Sequence, residues 1–248
     1  VNLRGFSREM EAAINILKSR VEGMLGNLPP HQMQEVESIL REEIPESLEF
    51  INSSVSRMDR LIGAIVKVSR MEHAELVVEP LDMKELVEKT ASVLAHQVRE
   101  LGIQVKLGPL PEVIADRTAM EQIIGNLLDN AIKYTDPRRP GEIEILGWRS
   151  GAETHFSVKD NGLGIREEDQ DRIFDIFQRG TNRKEPGEGI GLACVRTLVR
   201  RHGGGIWCES IPGSGSTFTF TVSNQPESKK RSGPVPGPDG PFPRRALG

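Results

Sequence analysis

Residues 121–135, EQIIGNLLDNAIKYT, constrain this chain more than any other stretch. At the helical period they divide into two faces. Ile123, Ile124, Leu127, Leu128, Ala131 and Ile132 fall together, and Gln122, Asn126, Asp129, Asn130 and Lys133 fall opposite. The first face is built for a core. The second carries two asparagines, weak helix formers where a solvated face would prefer Glu, Lys or Ala, and Lys133 completes an i, i+4, i+7 row. Such a row asks for a ligand; an ordinary solvated helix face is the alternative on these residues alone.

The rest of the chain allows one large or two modest domains: 248 residues, 37% hydrophobic and 27% charged. A net charge of -4 supplies no basic field for nucleic acid, and no segment is apolar for long enough to span a bilayer. The expectation is a cytoplasmic chain with no signal peptide, which leaves open a membrane anchor upstream. Cys194 and Cys208 are too few and too scattered for a disulfide framework, so each is read as a small core residue.

Two long amphipathic patterns come first. From residue 1 to about 28, Phe6, Met10, Ala13, Leu17, Val21 and Met24 recur at three- and four-residue steps. Pro29 and Pro30 interrupt the pattern, and residues 29–43 form an insert without a readable period. After Pro45 a second stripe, Leu48, Ile51, Val55, Met58, Leu61, Ile62, Ile65 and Val68, runs close to heptad spacing. Two such helices make an antiparallel hairpin, and its apolar surface predicts a four-helix bundle built by two chains; packing on the chain's own second domain is the alternative. From residue 75 to 223 short strand and helix patterns alternate, with Asp82 and Asp116 as N-caps, which predicts an α+β sandwich. Residues 224–248, rich in Pro, Gly, Ser and basic side chains, read as a disordered tail.

Two glycine-bearing stretches follow the organising helix, DNGLGI at 160–165 and GEGIGLACV at 187–195. Both sit at predicted element ends, where backbone N–H groups are free. With the first stretch they resemble the N box and glycine boxes of the Bergerat (GHKL) ATP-binding domain, and in detail those of sensor histidine kinases of two-component systems. RIFDIFQRG at 172–180 is similar to that family's F box, and GSGSTFTF at 213–220 to its closing hairpin. SRMDRLIGAIVKVSRMEHAEL, in the second long helix, resembles the second helix of the kinase dimerisation domain.

The resemblance implies a Mg-ATP site and assigns its residues. Asn130 is the implied magnesium ligand, with Lys133 and Tyr134 reaching the phosphates and the nucleotide edge. Asn126 lies one turn earlier, where related ATPases carry a glutamate base; an amide cannot accept that proton, which disfavours hydrolysis by water. Asn126 and Lys133 are thus the implied catalytic pair. Asp160 would accept from the adenine amino group, with Gly162, Gly164 and Ile165 bringing backbone close to the ring. Gly187, Gly189, Gly191 and Leu192 would hold phosphate oxygens at a helix N-terminus, and Thr217 belongs to the same set. Residues 166–188 read as a lid, with Phe174 and Phe177 at its base.

In the family, the γ-phosphoryl group passes to a histidine on the hairpin and then to an aspartate of a response-regulator receiver domain. The acceptor motif matches this chain only at Leu3 and Arg4, a register that sets Val1 in the histidine's place. His31, His73, His96, His155 and His202 lack the motif's neighbours. The expectation is a homodimeric kinase core that binds ATP and magnesium without phosphorylating itself. Three alternatives stay open: an acceptor motif upstream of Val1, a non-catalytic ATP-gated dimer, and an anti-sigma-type serine kinase.

Overall fold

The computed structural model describes residues 3–23, 29–175 and 189–224. Val1, Met24, Phe177, Gly187, the stretch 176–188 of the expected lid and the tail from 225 lie outside the described residues.

Helix α1 (Leu3–Glu22) packs antiparallel on a second long helical segment. That segment takes in the insert at 29–43, which has no readable period in the sequence and is helical from Pro30. Pro30 opens α2 (Pro30–Ser38) at a position where its missing N–H costs nothing. One π-helical turn (Ile39–Glu43) then leads straight into α3 (Ile44–His73). Pro45 explains the π turn: it has no N–H to donate one turn back and its ring crowds that carbonyl. The chain widens by one residue there, and the Ile44 N–H bonds the Ile39 carbonyl.

The hairpin closes through one flank of each stripe. Ser7 is buried and donates to Asn52 Oδ1, and Met10, Ile14 and Val21 are half-buried. Phe6 and Leu17, which the periodicity placed with Met10 and Val21, are exposed, as are Ile51, Met58, Ile62 and Ile65. Two helices can cover only one flank of so wide an apolar band.

The second half is a two-layer α+β structure. Strand β1 (Val78–Leu81) leads to α4 (Met83–Val93), capped by Asp82 through the amides of Lys84 and Glu85. Then come α5 (Ala95–Glu100), β2 (Gln104–Leu107), β3 (Val113–Asp116) and α6 (Arg117–Lys133), whose cap Asp116 accepts from the Ala119 amide. After them follow β4 (Glu142–Ser150), β5 (Glu153–Asp160), the short α7 (Glu167–Gln170), α8 (Gly191–Arg201), β6 (Ile206–Ile211) and β7 (Gly215–Ser223). β1 and β3 pair by themselves, and the other strands form one sheet in the order β2-β4-β5-β7-β6, parallel only between β2 and β4.

Register decides what each sheet face does. Ile143, Ile145, Phe156, Val158, Phe218 and Phe220 point to the helices and are buried against Ile123, Ile124, Leu127 and Leu128 of α6. Phe156 stacks on Phe220 at 5.3 Å between ring centroids, and Phe174 meets Phe218 edge-on at 6.3 Å. Phe174 is therefore core.

The two halves also touch. Ala64 and Val68 of α3 are buried with Ile190 and Cys194 at the start of α8, and Arg201 donates to the carbonyls of Met71 and Ala74. The far end of the α3 stripe thus packs on the chain's own second domain, in a small cluster beside the main core.

Candidate functional site

Helix α6 places its two faces as the pattern requires. Every residue of the apolar face is buried, whereas Gln122, Asn126, Asn130 and Lys133 are half-buried and Asp129 is exposed. The two ends of the polar row meet the two glycine stretches. At one end Asn126 donates from Nδ2 to the Gln122 carbonyl at 2.8 Å. Its Oδ1 faces Gly191 so closely that a Cβ there would stand 2.9 Å away. At the other end the Tyr134 carbonyl accepts from the Leu163 amide at 2.9 Å. A Cβ on Gly162 would come within 2.3 Å of that same carbonyl. Eight residues at a 1.5 Å rise separate Asn126 from Tyr134, so the row runs about 12 Å between these contacts.

Asp160 lies at the Tyr134 end, on the core-facing side of β5, and is buried. Its Oδ1 accepts from the amides of Gly162 (2.8 Å) and Ser216 (3.3 Å). Its Oδ2 makes no hydrogen bond among the described residues. Burial pushes the Asp160 carboxyl above the usual carboxylate range, against the lowering effect of the two amides and of Arg139. The site therefore presents a carboxylate oxygen with an unmet need for a donor.

At the Asn126 end, α8 begins with no side-chain cap, so its first amides are open to an acceptor. Gly189, in the left-handed region at φ 67°, and Gly191 and Leu192 surround that end. Between the ends, the Asn130 side chain has no hydrogen bond among the described residues, and Lys133 Nζ lies 5.2 Å from the centre of the Tyr134 ring. No described group of three or more His, Cys, Asp and Glu could hold a metal ion unaided. A cation here would draw on one amide oxygen and on its ligand's own oxygens.

Several expected residues have other duties. Gly162 and Gly164 are required by the protein's own backbone, since a Cβ on Gly164 (φ 71°) would meet the Ile211 carbonyl at 2.2 Å. The Ile165 amide donates to Ser210 Oγ at 2.7 Å. Thr217 is a correction. It pairs with Lys159, while Ser216 pairs with Asp160, so the two-residue period of β7 turns Thr217 to the outer face, away from the site. Ser216, one residue earlier, is the hydroxyl on the Asp160 side, 3.1 Å from Ser210 Oγ.

Arg139 was not signalled by the sequence. Its Nε donates to the Asn161 carbonyl and its Nη2 to the carbonyls of Gly162 and Gly213, all at 2.8 Å. One guanidinium thereby ties the loop after Asp160 to the β6–β7 turn. Nearby, Arg138 grips the buried Asp136 carboxylate through two nitrogens and lowers its pKa to about 2. The five histidines are dispersed. His31 and His96 are exposed, His73 bonds the Ser69 carbonyl, His155 is on the outer sheet face, and His202 is buried between α8 and β3.

A helical hairpin joined to a two-layer sandwich, with a polar helix row running from a free helix N-terminus to a buried aspartate, defines a nucleotide-binding domain with an elongated site. Residues 115–226 match the family of histidine kinase-, DNA gyrase B-, and HSP90-like ATPases. Phytochrome-like protein Cph1 of Synechocystis sp. (strain ATCC 27184 / PCC 6803 / Kazusa) is 36% identical over 184 residues, 74% of this chain and 24% of that protein. The adaptive-response sensory kinase SasA of Crocosphaera subtropica (strain ATCC 51142 / BH68) is 38% identical over 172 residues, 66% of this chain and 44% of that protein. The catalytic domain of histidine kinase ThkA is 28% identical, covering 62% of this chain and 100% of that chain with a TM-score of 0.55. ThkA in complex with the response regulator protein TrrA, at 23% identity, shares the fold over 90% of this chain and 65% of that one with a TM-score of 0.55. Residues 115–226 thus carry a GHKL-type ATPase domain, and over the stretch they share the chain is similar to sensor histidine kinases. It spans less than half the length of either curated relative.

Proposed function

We propose that this chain is the kinase core of a two-component sensor kinase, with Mg-ATP lying along α6 between Asp160 and the start of α8. The observation that carries this reading is the polar row whose ends abut Gly162 and Gly191. Adenine would sit at the Asp160 end, where the free Oδ2 accepts from the exocyclic amino group and discriminates against guanine. The phosphates would run towards the uncapped α8 N-terminus, with Lys133 reaching them from the Tyr134 end of the row. Asn130 would hold the magnesium ion, which offsets phosphate charge when bound.

The reaction is a phosphoryl transfer that the protein serves by positioning and charge. Asn126 suits this, because an amide cannot act as the base for attacking water, and its Oδ1 lies close against Gly191 at the start of α8. The γ-phosphoryl group would pass to a histidine on a hairpin paired with that of a second copy, then to an aspartate of a response-regulator receiver domain. ThkA, which shares the fold, is known in complex with such a regulator. Val1 holds the acceptor register in this stretch and none of the five histidines has the motif's neighbours, so this chain binds ATP without labelling itself.

Incubation with γ-labelled ATP and magnesium tests this division of labour. Nucleotide binding with no acid-labile phosphate on the chain is the expected result, and label on any of the five histidines would overturn the assignment. The non-catalytic ATP-gated dimer is the second reading, favoured by burial of Ile190, at the phosphate end, against Ala64 and Val68 of the hairpin. It predicts binding but no phosphate on a regulator even when a chain with an acceptor histidine is supplied.

A further inference from the structure

The outer face of the main sheet, opposite the nucleotide site, carries an aromatic patch that ATP binding does not use. Trp148 of β4 pairs with His155 of β5, which pairs with Thr221 of β7, and Trp207 of β6 pairs with Thr219. Trp148 and His155 stack at 5.1 Å, and Trp207 meets the His155 ring edge-on at 6.1 Å. Thr219 and Thr221 are buried beneath, whereas Trp148 and Trp207 stay 41% and 39% exposed. Neither indole N–H has an acceptor among the described residues, and the buried Nδ1 of His155 has no partner there. Acidic side chains flank the rings: Glu153 Oε2 is 3.8 Å from His155 Nε2, and Glu209 shares the Trp207 face of β6.

We propose that this patch is the docking site of the chain's own C-terminal tail, in particular the proline-rich run at 233–245. The sequence GPVPGPDGPFPRR favours polyproline II, whose backbone carbonyls have no partners of their own and suit exposed indole N–H donors on aromatic ridges. Charge agrees, since the tail carries Lys229, Lys230, Arg231, Arg244 and Arg245 against Glu227 and Asp239. Geometry agrees as well. The tail leaves the sheet beside the patch, where Asn224 bonds Ala152 and Thr154. Trp207 is level with Thr219, five residues back from Asn224 along β7, or about 17 Å. The ten residues from Asn224 to Pro234 reach about 17 Å on average as a flexible linker.

Both tryptophans of the chain lie in this patch, so their emission reports it in the full chain without a label. When Pro234, Pro236, Pro238, Pro241 and Pro243 are all exchanged for serine, acrylamide quenching of the tryptophans roughly doubles and the emission maximum shifts to the red, because the rings lose their cover. A synthetic peptide of residues 231–245 then restores the protection saturably, and its all-serine counterpart does not. Equal quenching in the parent and exchanged chains overturns the proposal. Protection that fades on dilution of the parent also overturns it, by placing a second copy on the rings.

Discussion

Arg139 Nη2 lies 2.8 Å from the Gly162 carbonyl and the same distance from the Gly213 carbonyl, so one side chain closes the loop that carries Asp160 onto the neighbouring turn. The proposed nucleotide site would share this clamp, since Asp160 Oδ1 is itself held by the Gly162 amide. Arg139→Ala is expected to weaken ATP binding by about 1–3 kcal/mol through loss of charged hydrogen bonds, and Arg139→Lys to recover only part of it, because an ammonium lacks the fork. Calorimetric titration with ATP reads both; unchanged affinity in the alanine variant would show that the loop holds its shape unaided.

Asp160 should display a trade between binding and stability. Its carboxyl titrates above the usual range because it is buried, so the folded chain holds the proton more tightly than the unfolded one and loses stability as pH rises through that window. Asp160→Asn keeps an oxygen for the two amides and removes the charge. The ATP-free chain should therefore melt at the same or a higher temperature at pH 7, while ATP binds about 1–3 kcal/mol more weakly. A lower melting temperature without ligand would contradict this.

His202 makes the opposite case. Nδ1 meets the Leu198 carbonyl at 2.7 Å and so carries the proton, leaving Nε2 to accept from the Asp116 amide at 3.1 Å. Burial lowers its pKa from 6.5. The unfolded chain then binds more protons between the two values, so the stability His202 supplies is full above 6.5 and is lost as pH falls below it. The melting temperature of the parent should drop between pH 7 and pH 5.5. His202→Ala should flatten that part of the slope and cost about 1–3 kcal/mol at pH 7, by leaving the Asp116 amide unsatisfied. Identical slopes in the two chains would contradict this role of His202.

The hairpin offers a contrast within one helix. Met58 and Ile62 are 42% and 54% exposed, whereas Val68 is buried against α8. Covering the exposed stripe with a second copy is worth about 25 cal/mol per Å². Ile62→Asp is therefore expected to yield monomers in sedimentation with ATP binding intact. Val68→Asp should leave the dimer and loosen α8. A parent chain that sediments as a monomer at micromolar concentration would refute the pairing.

What could be read from residues alone follows from how local each signal was. The α6 faces and the Asp82 and Asp116 caps rest on period and adjacency, and all stand in the structure. Residues 29–43 resisted because two prolines read as breaks. Pro30 in fact starts a helix, and Pro45 is absorbed by a π turn. Arg139 was invisible because its three acceptors come from residues 22 to 74 positions away. Thr217 was placed by motif, and only the pairing of Asp160 with Ser216 shows which hydroxyl faces the site. The Ile190–Val68 contact joins elements with no sequence relation.

The polar row of α6 is proposed to bind magnesium nucleotide through Asn130. Calorimetric titration of ATP into the parent chain and into Asn130→Ala, each with and without magnesium, tests it most directly. Affinity should rise with magnesium in the parent, and that gain should vanish in the variant while its melting temperature without ligand is unchanged, because the Asn130 side chain has no hydrogen bond to lose among the described residues. The same magnesium-dependent gain in both chains would contradict the assignment of the site.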